Sequence, residues 1–131
     1  MCNHNAVRSP MAFALAKRFF RGRIFTDAAG LEAGQLDGFS VYVMGEIGSD
    51  IANYVPKDLE DVDAAAFQLI ITLTPEAHHR ALEFTRDADV GVEYWPTEDP
   101  TTYEGSRETR LTAYRQVRDT LAGRIKRRFA F

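Results

Sequence analysis

The chain has 131 residues, a length for one domain, and residues 1–131 are expected to form a single domain. Apolar residues make up 45% of it, which is enough for a hydrophobic core and argues against a disordered or collagen-like chain. Its formal net charge of −3 and pI of about 5.6 argue against nucleic acid as the main partner.

The composition also limits the compartment and the metal chemistry. No apolar run is long enough to span a bilayer and no signal peptide precedes the fold, so no membrane partner is expected. The single cysteine, Cys2, cannot form a disulfide within the chain, and a reducing cytoplasm is the expected compartment. His78 and His79 are adjacent and would point in different directions on a helix, and no third ligand has suitable spacing. Neither a metal nor a cofactor is therefore predicted.

The first predicted element is an amphipathic helix over about residues 8–21. Its apolar side chains fall on one face: Met11, Ala12, Leu15, Ala16 and Phe19. Pro10 suits the first turn, and Gly22 is predicted to end the helix. RIFTDAAG, residues 23–30, is expected to be a short strand that runs into a loop. Apolar residues again fall at helical spacing between Leu36 and Ile47, which predicts a second helix there.

The second half of the chain alternates strands with helices. Residues 53–63 read as a loop with a helical turn at most, whereas AFQLIITLT, residues 66–74, is typical of a strand buried on both faces. Thr74 is a plausible N-cap for a helix that begins at Pro75. That helix is expected to face inward through Ala77, Ala81 and Phe84.

DVGVEYW, residues 89–95, is predicted to be a further strand, followed by a loop over residues 96–105. A long helix is predicted from about Ser106 to Arg128. Its apolar stripe consists of Leu111, Tyr114, Val117, Leu121 and Ile125. Strands that alternate with helices predict an α/β fold in three layers, with a short, mainly parallel sheet between helices.

The opening stretch, MCNHNAVRSP, has the pattern of an anion site. Five residues separate Cys2 from Arg8, and the first helix begins there. A short loop that ends at a helix N-terminus can aim several backbone N–H groups and the positive end of the helix dipole at one anion. The guanidinium of Arg8 can bind two oxygens of that anion, and the same field favours the thiolate of Cys2. A thiolate beneath a bound phosphate is an in-line nucleophile.

The residues between Cys2 and the helix are expected to bind the anion. Asn5 can hold the loop in shape, Ser9 can donate to the sulfur, and His4 can tune the thiol or contact the ligand. The predicted binding residues are Asn3, His4, Asn5, Ala6, Val7 and Ser9. The competing interpretation treats Cys2 as an ordinary small apolar residue, because a cysteine and an arginine at this spacing also recur by chance.

The longer string CNHNAVRSPMAFAL is far more specific. It resembles the low-molecular-weight protein tyrosine phosphatase family, whose superfamily also includes arsenate reductases of the same fold. The matching positions are Cys2, Asn5, Arg8, Ser9, Pro10, Met11 and Ala12. AAGLEAG, MGEIGSDIANYVPKDLEDV and FQLIITLTPEAHHRAL are similar to further family segments, so the resemblance covers almost the whole chain. It implies a Rossmann-like fold and a phosphate, sulfate or arsenate oxyanion as the ligand.

The resemblance also implies an acid for the leaving group, in an Asp-Pro pair after the last strand. Asp99 and Pro100 stand there, and the proline restricts the aspartate to extended backbone. Asp99 is therefore expected to act as acid and then as base. Glu98 is the competing carboxylate, and an Asp-Pro turn with a purely structural role is the alternative.

Three features depart from the family pattern. The family has an apolar central strand immediately before the nucleophile, and that strand is not in this sequence. A gap in the sheet, a rearranged pairing or a strand borrowed from a second copy, as in a homodimer, is therefore expected. Val7 stands where many members carry a second cysteine, and Thr101 and Thr102 replace aromatic residues after the Asp-Pro pair.

The function implied first is hydrolysis of a phosphate monoester, on a protein or a small molecule, through a cysteinyl-phosphate at Cys2. Arsenate reduction is the alternative. It would need an external thiol or glutaredoxin, because the two further cysteines of thioredoxin-coupled members are absent. A third possibility is an inactive homologue that only binds anions.

Overall fold

The protein is an α/β structure, described for residues 1–129 in a computed structural model. Four helices, two strands and three short 3-10 turns follow one another along these residues. The helices are α1 (Arg8–Phe20), α2 (Gly38–Gly45), α3 (Pro75–Phe84) and α4 (Arg107–Phe129), and the strands are β1 (Leu69–Thr72) and β2 (Gly91–Tyr94). The 3-10 turns are Leu59–Asp61, Ala64–Ala66 and Pro100–Thr102.

The helices form where the apolar period and the caps predicted them. The whole predicted stripe of α4 is buried, and α4 packs against α1 and α2. Thr74 caps α3 by accepting a hydrogen bond from the N–H of Ala77, and α3 packs on both strands. The helix α1 ends one residue before its predicted end, because Arg21 already adopts the left-handed conformation that closes the helix.

The sheet is parallel and small. β1 pairs with β2 in a register that places Leu69 opposite Gly91. On the other side of β1, the Met1 ammonium donates to the carbonyl of Ile71 at 2.7 Å, and the N–H of Leu73 donates to the Met1 carbonyl at 2.8 Å. Isolated parallel bridges then join Cys2 to Gly30 and Gly30 to Asp58. Met1 and Cys2 therefore lie at the centre of the sheet.

Beside β1 the sheet is open. A gap in the sheet was one of the three arrangements expected from the sequence. A groove of about 980 Å³ lies between Leu69–Ile71 on one side and residues 24–28 on the other, with Met1 at its end. Helices α1 and α4 also line it, through apolar side chains that include Ala16 and Ile125. We call this region the groove.

Two predictions were wrong at this groove. Residues 23–30 do not form a strand, because among the described residues their pairing is limited to the Cys2 bridge at Gly30 and the Cys2 N–H bond to Ala29. β1 was expected to be buried on both faces, yet Leu69, Ile70 and Ile71 are only half-buried because they face the groove. Phe25, on the opposite wall, is 74% exposed.

A helix that crosses a membrane has to be both long and apolar. None of the helices described within residues 1–129 is both long enough and apolar enough to cross a bilayer.

Candidate active site

Residues Cys2–Ser9 comprise a short loop and the first two residues of α1, and we call this segment the cradle. Its carbonyl oxygens point outward and accept hydrogen bonds from the segment 31–37. The four bonds run from the N–H groups of Leu31, Glu32, Gly34 and Asp37 to the carbonyls of Cys2, Asn3, His4 and Ala6, at 2.8–3.1 Å. In a trans peptide the N–H points opposite to the carbonyl, so the N–H groups of Asn3, His4, Asn5 and Val7 point toward the inner side of the loop. An oxyanion site at the start of α1 stays a prediction, and it would use N–H groups placed in this way.

Asn5 lets the loop close. Its backbone has a φ of 52°, in the left-handed region where asparagine is one of the few residues found routinely. Its side chain is fully buried and donates from Nδ2 to the hydroxyl of Ser9 at 2.7 Å. The predicted shaping role of Asn5 thus has a structural basis, in its backbone as well as in its side chain.

The sulfur of Cys2 is buried beside polar partners. Its Sγ lies 3.0 Å from the hydroxyl oxygen of Ser9. Burial opposes ionisation of the thiol, but the Ser9 hydroxyl, the Met1 ammonium and the N–H groups of Ser9 and Asn5 favour the thiolate. The net result is a pKa of Cys2 below its ordinary value.

Arg8 connects the cradle to the loop of Asp99. Its guanidinium donates to the carbonyl of Thr97 at 3.1 Å, and a second nitrogen lies 3.9 Å from Oδ2 of Asp99. The Arg8 side chain is only 12% exposed. The structure therefore places Arg8 of the cradle beside Asp99, which comes from a distant part of the chain.

The two candidate carboxylates have different surroundings. Oδ1 of Asp99 accepts hydrogen bonds from the N–H and the hydroxyl of Thr101, at 3.0 and 2.7 Å, while Oδ2 faces Arg8. Glu98 instead accepts a hydrogen bond from the exposed hydroxyl of Tyr103. Asp99 is held toward the Arg8 guanidinium and Glu98 is not. The geometry therefore favours Asp99 over Glu98 as the candidate acid.

The other predicted binding residues lie in the cradle, but their side chains differ in what they face. Oδ1 of Asn3 accepts from the hydroxyl of Thr74 at 2.7 Å, which joins the cradle to the cap of α3. Val7 is buried in the core and Ala6 packs against it. His4 is 62% exposed and lies 3.9 Å from Glu32, so its described contact is with Glu32 and not with Cys2.

Sequence reasoning missed the residues that support the cradle from a distance. A Cβ on Gly30 would come within 2.6 Å of the Asn5 nitrogen, so only glycine permits this approach. Tyr54 and the N–H of Lys57 both donate to Oδ1 of Asn5. Gly30 is within AAGLEAG and could have been noticed, but nothing local marks Tyr54, whose contact spans 49 residues.

The comparisons with known proteins show which family the chain resembles. The sequence profile of the low molecular weight phosphotyrosine protein phosphatase family matches residues 1–130. An arsenate reductase of Shouchella clausii is 31% identical over 128 residues, which cover 97% of this chain and 90% of that protein.

Two solved structures have a TM-score of 0.82. One is an arsenate reductase in the phosphate-binding state, 26% identical, which covers 98% of this chain and 92% of that one. The other is a low molecular weight protein tyrosine phosphatase of T. tengcongensis, 19% identical and covering 98% and 94%, which bears on the fold alone.

Proposed function

Because the chain belongs to the low molecular weight phosphotyrosine protein phosphatase family, we propose that Cys2 is a nucleophile that attacks a tetrahedral oxyanion held in the cradle. The observation that carries the proposal is the position of the Cys2 sulfur, 3.0 Å from Ser9, in a loop that turns the carbonyls of Cys2, Asn3, His4 and Ala6 outward. Arg8 would bind two oxygens of the anion, and Asp99 would supply a proton to the oxygen that leaves.

We propose arsenate as the oxyanion, because the curated relatives are named arsenate reductases. Their names support the reductase, the alternative in the sequence reading, better than the phosphatase. The Cys2 thiolate would attack arsenic, and one oxygen would leave as water after protonation. An external thiol would then attack the Cys2 sulfur, so that the sulfur–arsenic electron pair stays on arsenic as arsenite. A second external thiol would reduce the resulting mixed disulfide and restore Cys2.

The external thiol follows from the sequence. Cys2 is the single cysteine, so no second cysteine of this chain can take over the oxidation. The two electrons would therefore come from two molecules of a low-molecular-weight thiol, or from a glutaredoxin.

Hydrolysis of a phosphate monoester is the second candidate. The lone cysteine favours it, because hydrolysis needs no electrons from a partner thiol. The same attack would form a cysteinyl-phosphate and release an alcohol or phenol protonated by Asp99. Water activated by Asp99 would then release phosphate and restore the thiolate.

Two assays on the purified protein separate these candidates. One follows arsenite formed from arsenate with glutathione and glutaredoxin, and the other follows hydrolysis of an aryl phosphate. Cys2→Ser should abolish whichever activity is present without unfolding the protein. Asp99→Asn should lower it by about 10²-fold or more, while the matched Glu98→Gln variant keeps it within a few-fold.

The outcomes are distinct. Arsenite formation without aryl phosphate turnover supports the reductase, and the converse supports the phosphatase. A folded protein with neither activity that still binds phosphate would be an anion-binding homologue, and both catalytic proposals would be wrong. Activity that survives in Cys2→Ser would overturn the role of Cys2.

A further inference from the structure

A line of four polar groups leads from Tyr54 to the reacting sulfur. The Tyr54 hydroxyl donates to Oδ1 of Asn5 at 2.5 Å. Nδ2 of Asn5 donates to the hydroxyl oxygen of Ser9 at 2.7 Å, and that oxygen lies 3.0 Å from Sγ of Cys2. Asn5, Ser9 and Cys2 are buried, so water does not compete for these bonds.

The direction of each hydrogen bond in this line is determined by its neighbours. The backbone N–H of Lys57 lies 3.0 Å from Oδ1 of Asn5 and can only donate, so the oxygen of the amide must face it. The amide nitrogen then faces Ser9, and the Ser9 oxygen must accept. The one proton of the Ser9 hydroxyl is left to point at the sulfur, where it stabilises the thiolate.

Tyr54 is placed to hold the Asn5 amide in this orientation. Its ring packs edge-on against Phe13, with centroids 5.6 Å apart, which fixes where the hydroxyl lies. The other acceptor near the hydroxyl, the carbonyl of Ala28, is more distant at 3.4 Å. Burial, with smaller effects of Asp27 and Cys2, raises the pKa of Tyr54 to about 12, so the hydroxyl keeps its proton and stays a donor.

We propose that Tyr54 is a positioning residue for the Cys2 sulfur. Together with the N–H of Lys57, its hydroxyl holds the Asn5 amide so that Ser9 donates its proton to Sγ. This role rests on the proposed function only in that Cys2 is the reacting atom. It holds for either candidate substrate, because the thiolate is the attacking group in both.

Two sets of charged groups lie near the hydrogen-bonded line from Tyr54 to Cys2. The Met1 ammonium faces Cys2 and favours the thiolate, and the carboxylate of Asp27, paired with Lys57, lies near Tyr54. Neither Met1 nor Asp27 is hydrogen-bonded to Asn5 or Ser9 in the described hydrogen bonds. Removing the Tyr54 hydroxyl therefore leaves these charges in place.

The first test replaces Tyr54 by Phe, which keeps the ring against Phe13. The pKa of the Cys2 thiol is measured from its ultraviolet absorbance and from the pH dependence of its alkylation by iodoacetamide. Loss of one hydrogen bond of the line should raise this pKa by about half a unit to one unit. Tyr42→Phe, at an exposed tyrosine whose ring contacts Arg107, is the matched control and should leave the pKa unchanged.

The second test separates a positioning role from a merely structural one. If Tyr54 acts through Asn5 and Ser9, then Tyr54→Phe should cause no further rise of the thiol pKa in a Ser9→Ala background. Tyr54→Leu, which also lacks the hydroxyl, should reproduce the rise seen in Tyr54→Phe should that variant fold poorly.

An unchanged thiol pKa in both Tyr54 variants would overturn the proposal, and so would an equal rise with and without Ser9. Both measurements are made without substrate. A failure here is therefore distinguishable from a failure of the proposed function, which would be seen in the turnover assays.

Discussion

The cradle and the groove lie on either side of Met1 and differ in how their backbone groups are satisfied. In the cradle, four carbonyls are bonded to the segment 31–37, and Asn5 is fully buried. In the groove, β1 pairs with β2 on one side and meets only Met1 on the other among the described residues, and Phe25 is largely exposed. The two regions are joined by the same two residues, Met1 and Cys2.

The difference shows what holds a loop of this kind in place. The cradle is held by contacts that come later in the chain, from segment 31–37, from Tyr54 and from the N–H of Lys57. None of these supporting contacts comes from the groove wall formed by Leu69–Ile71. The groove affects mainly stability, because it leaves apolar surface and strand edges uncovered.

The largest effect is expected from a substitution outside the cradle that pushes its backbone out of place. Gly30→Ala places a Cβ within 2.6 Å of the Asn5 nitrogen and 2.8 Å of the Glu32 carbonyl oxygen, both backbone atoms that cannot move independently. We expect a loss of about 1–3 kcal/mol in the free energy of unfolding. Turnover should fall by about 10²-fold, because the loop is displaced from the anion.

Gly45→Ala is the matched control, since nothing lies within 4 Å of a Cβ built there. Its stability, measured by urea unfolding, should match or exceed that of the parent. Equal behaviour of the two variants would show that the close approach at Gly30 is unimportant.

The next largest effect is expected from an N-terminal extension that fills the groove. Four residues, Val-Leu-Phe-Val, added before Met1 should extend alongside Leu69–Ile71 and bury apolar side chains between the helices. Burial stabilises by about 1.5–3 kcal/mol for each large side chain, which equals or exceeds an ordering cost of about 1.5 kcal/mol for each residue. The free energy of unfolding should therefore rise by about 1–3 kcal/mol.

The control for the groove carries Ser-Asn-Gly-Ser in the same place. It has the same length but offers no apolar surface, so its thermal midpoint should stay near that of the parent chain. If both extensions give the same midpoint, the groove does not select an apolar strand.

The smallest effect is a pH dependence of stability. Burial lowers the pKa of the Met1 ammonium from 8.0 to about 6, although the Cys2 charge opposes this. Between pH 6 and 8 the unfolded chain therefore binds more protons than the folded chain, and stability should increase with pH in that window. Below pH 6 both states are protonated, and this contribution is constant.

The thermal midpoint should rise by a few degrees from pH 6 to pH 8. The lowered pKa of Cys2 acts in the same direction. Any added residues convert the Met1 amine into an amide, so the Ser-Asn-Gly-Ser variant should retain only the part due to Cys2. A midpoint that falls over this window would contradict the assignment.

The sequence alone was sufficient where the physical cause is local. The apolar stripe of α4 and the Thr74 cap of α3 follow from spacings of three or four residues, and both are confirmed. The approach of Cys2 to Ser9 is also local, since the loop and the first turn of α1 form one short segment. The roles of Cys2, Arg8 and Asp99 remain predictions.

Tertiary structure alone decided the features that need a partner distant in the chain. Residues 23–30 have the composition of a strand, but a strand exists only when a neighbour accepts its hydrogen bonds. For the same reason β1 is half-buried beside the groove. Arg8 meets Thr97 across 89 residues and Tyr54 meets Asn5 across 49, distances over which no sequence period operates. Those contacts decide how the groups around the sulfur are oriented.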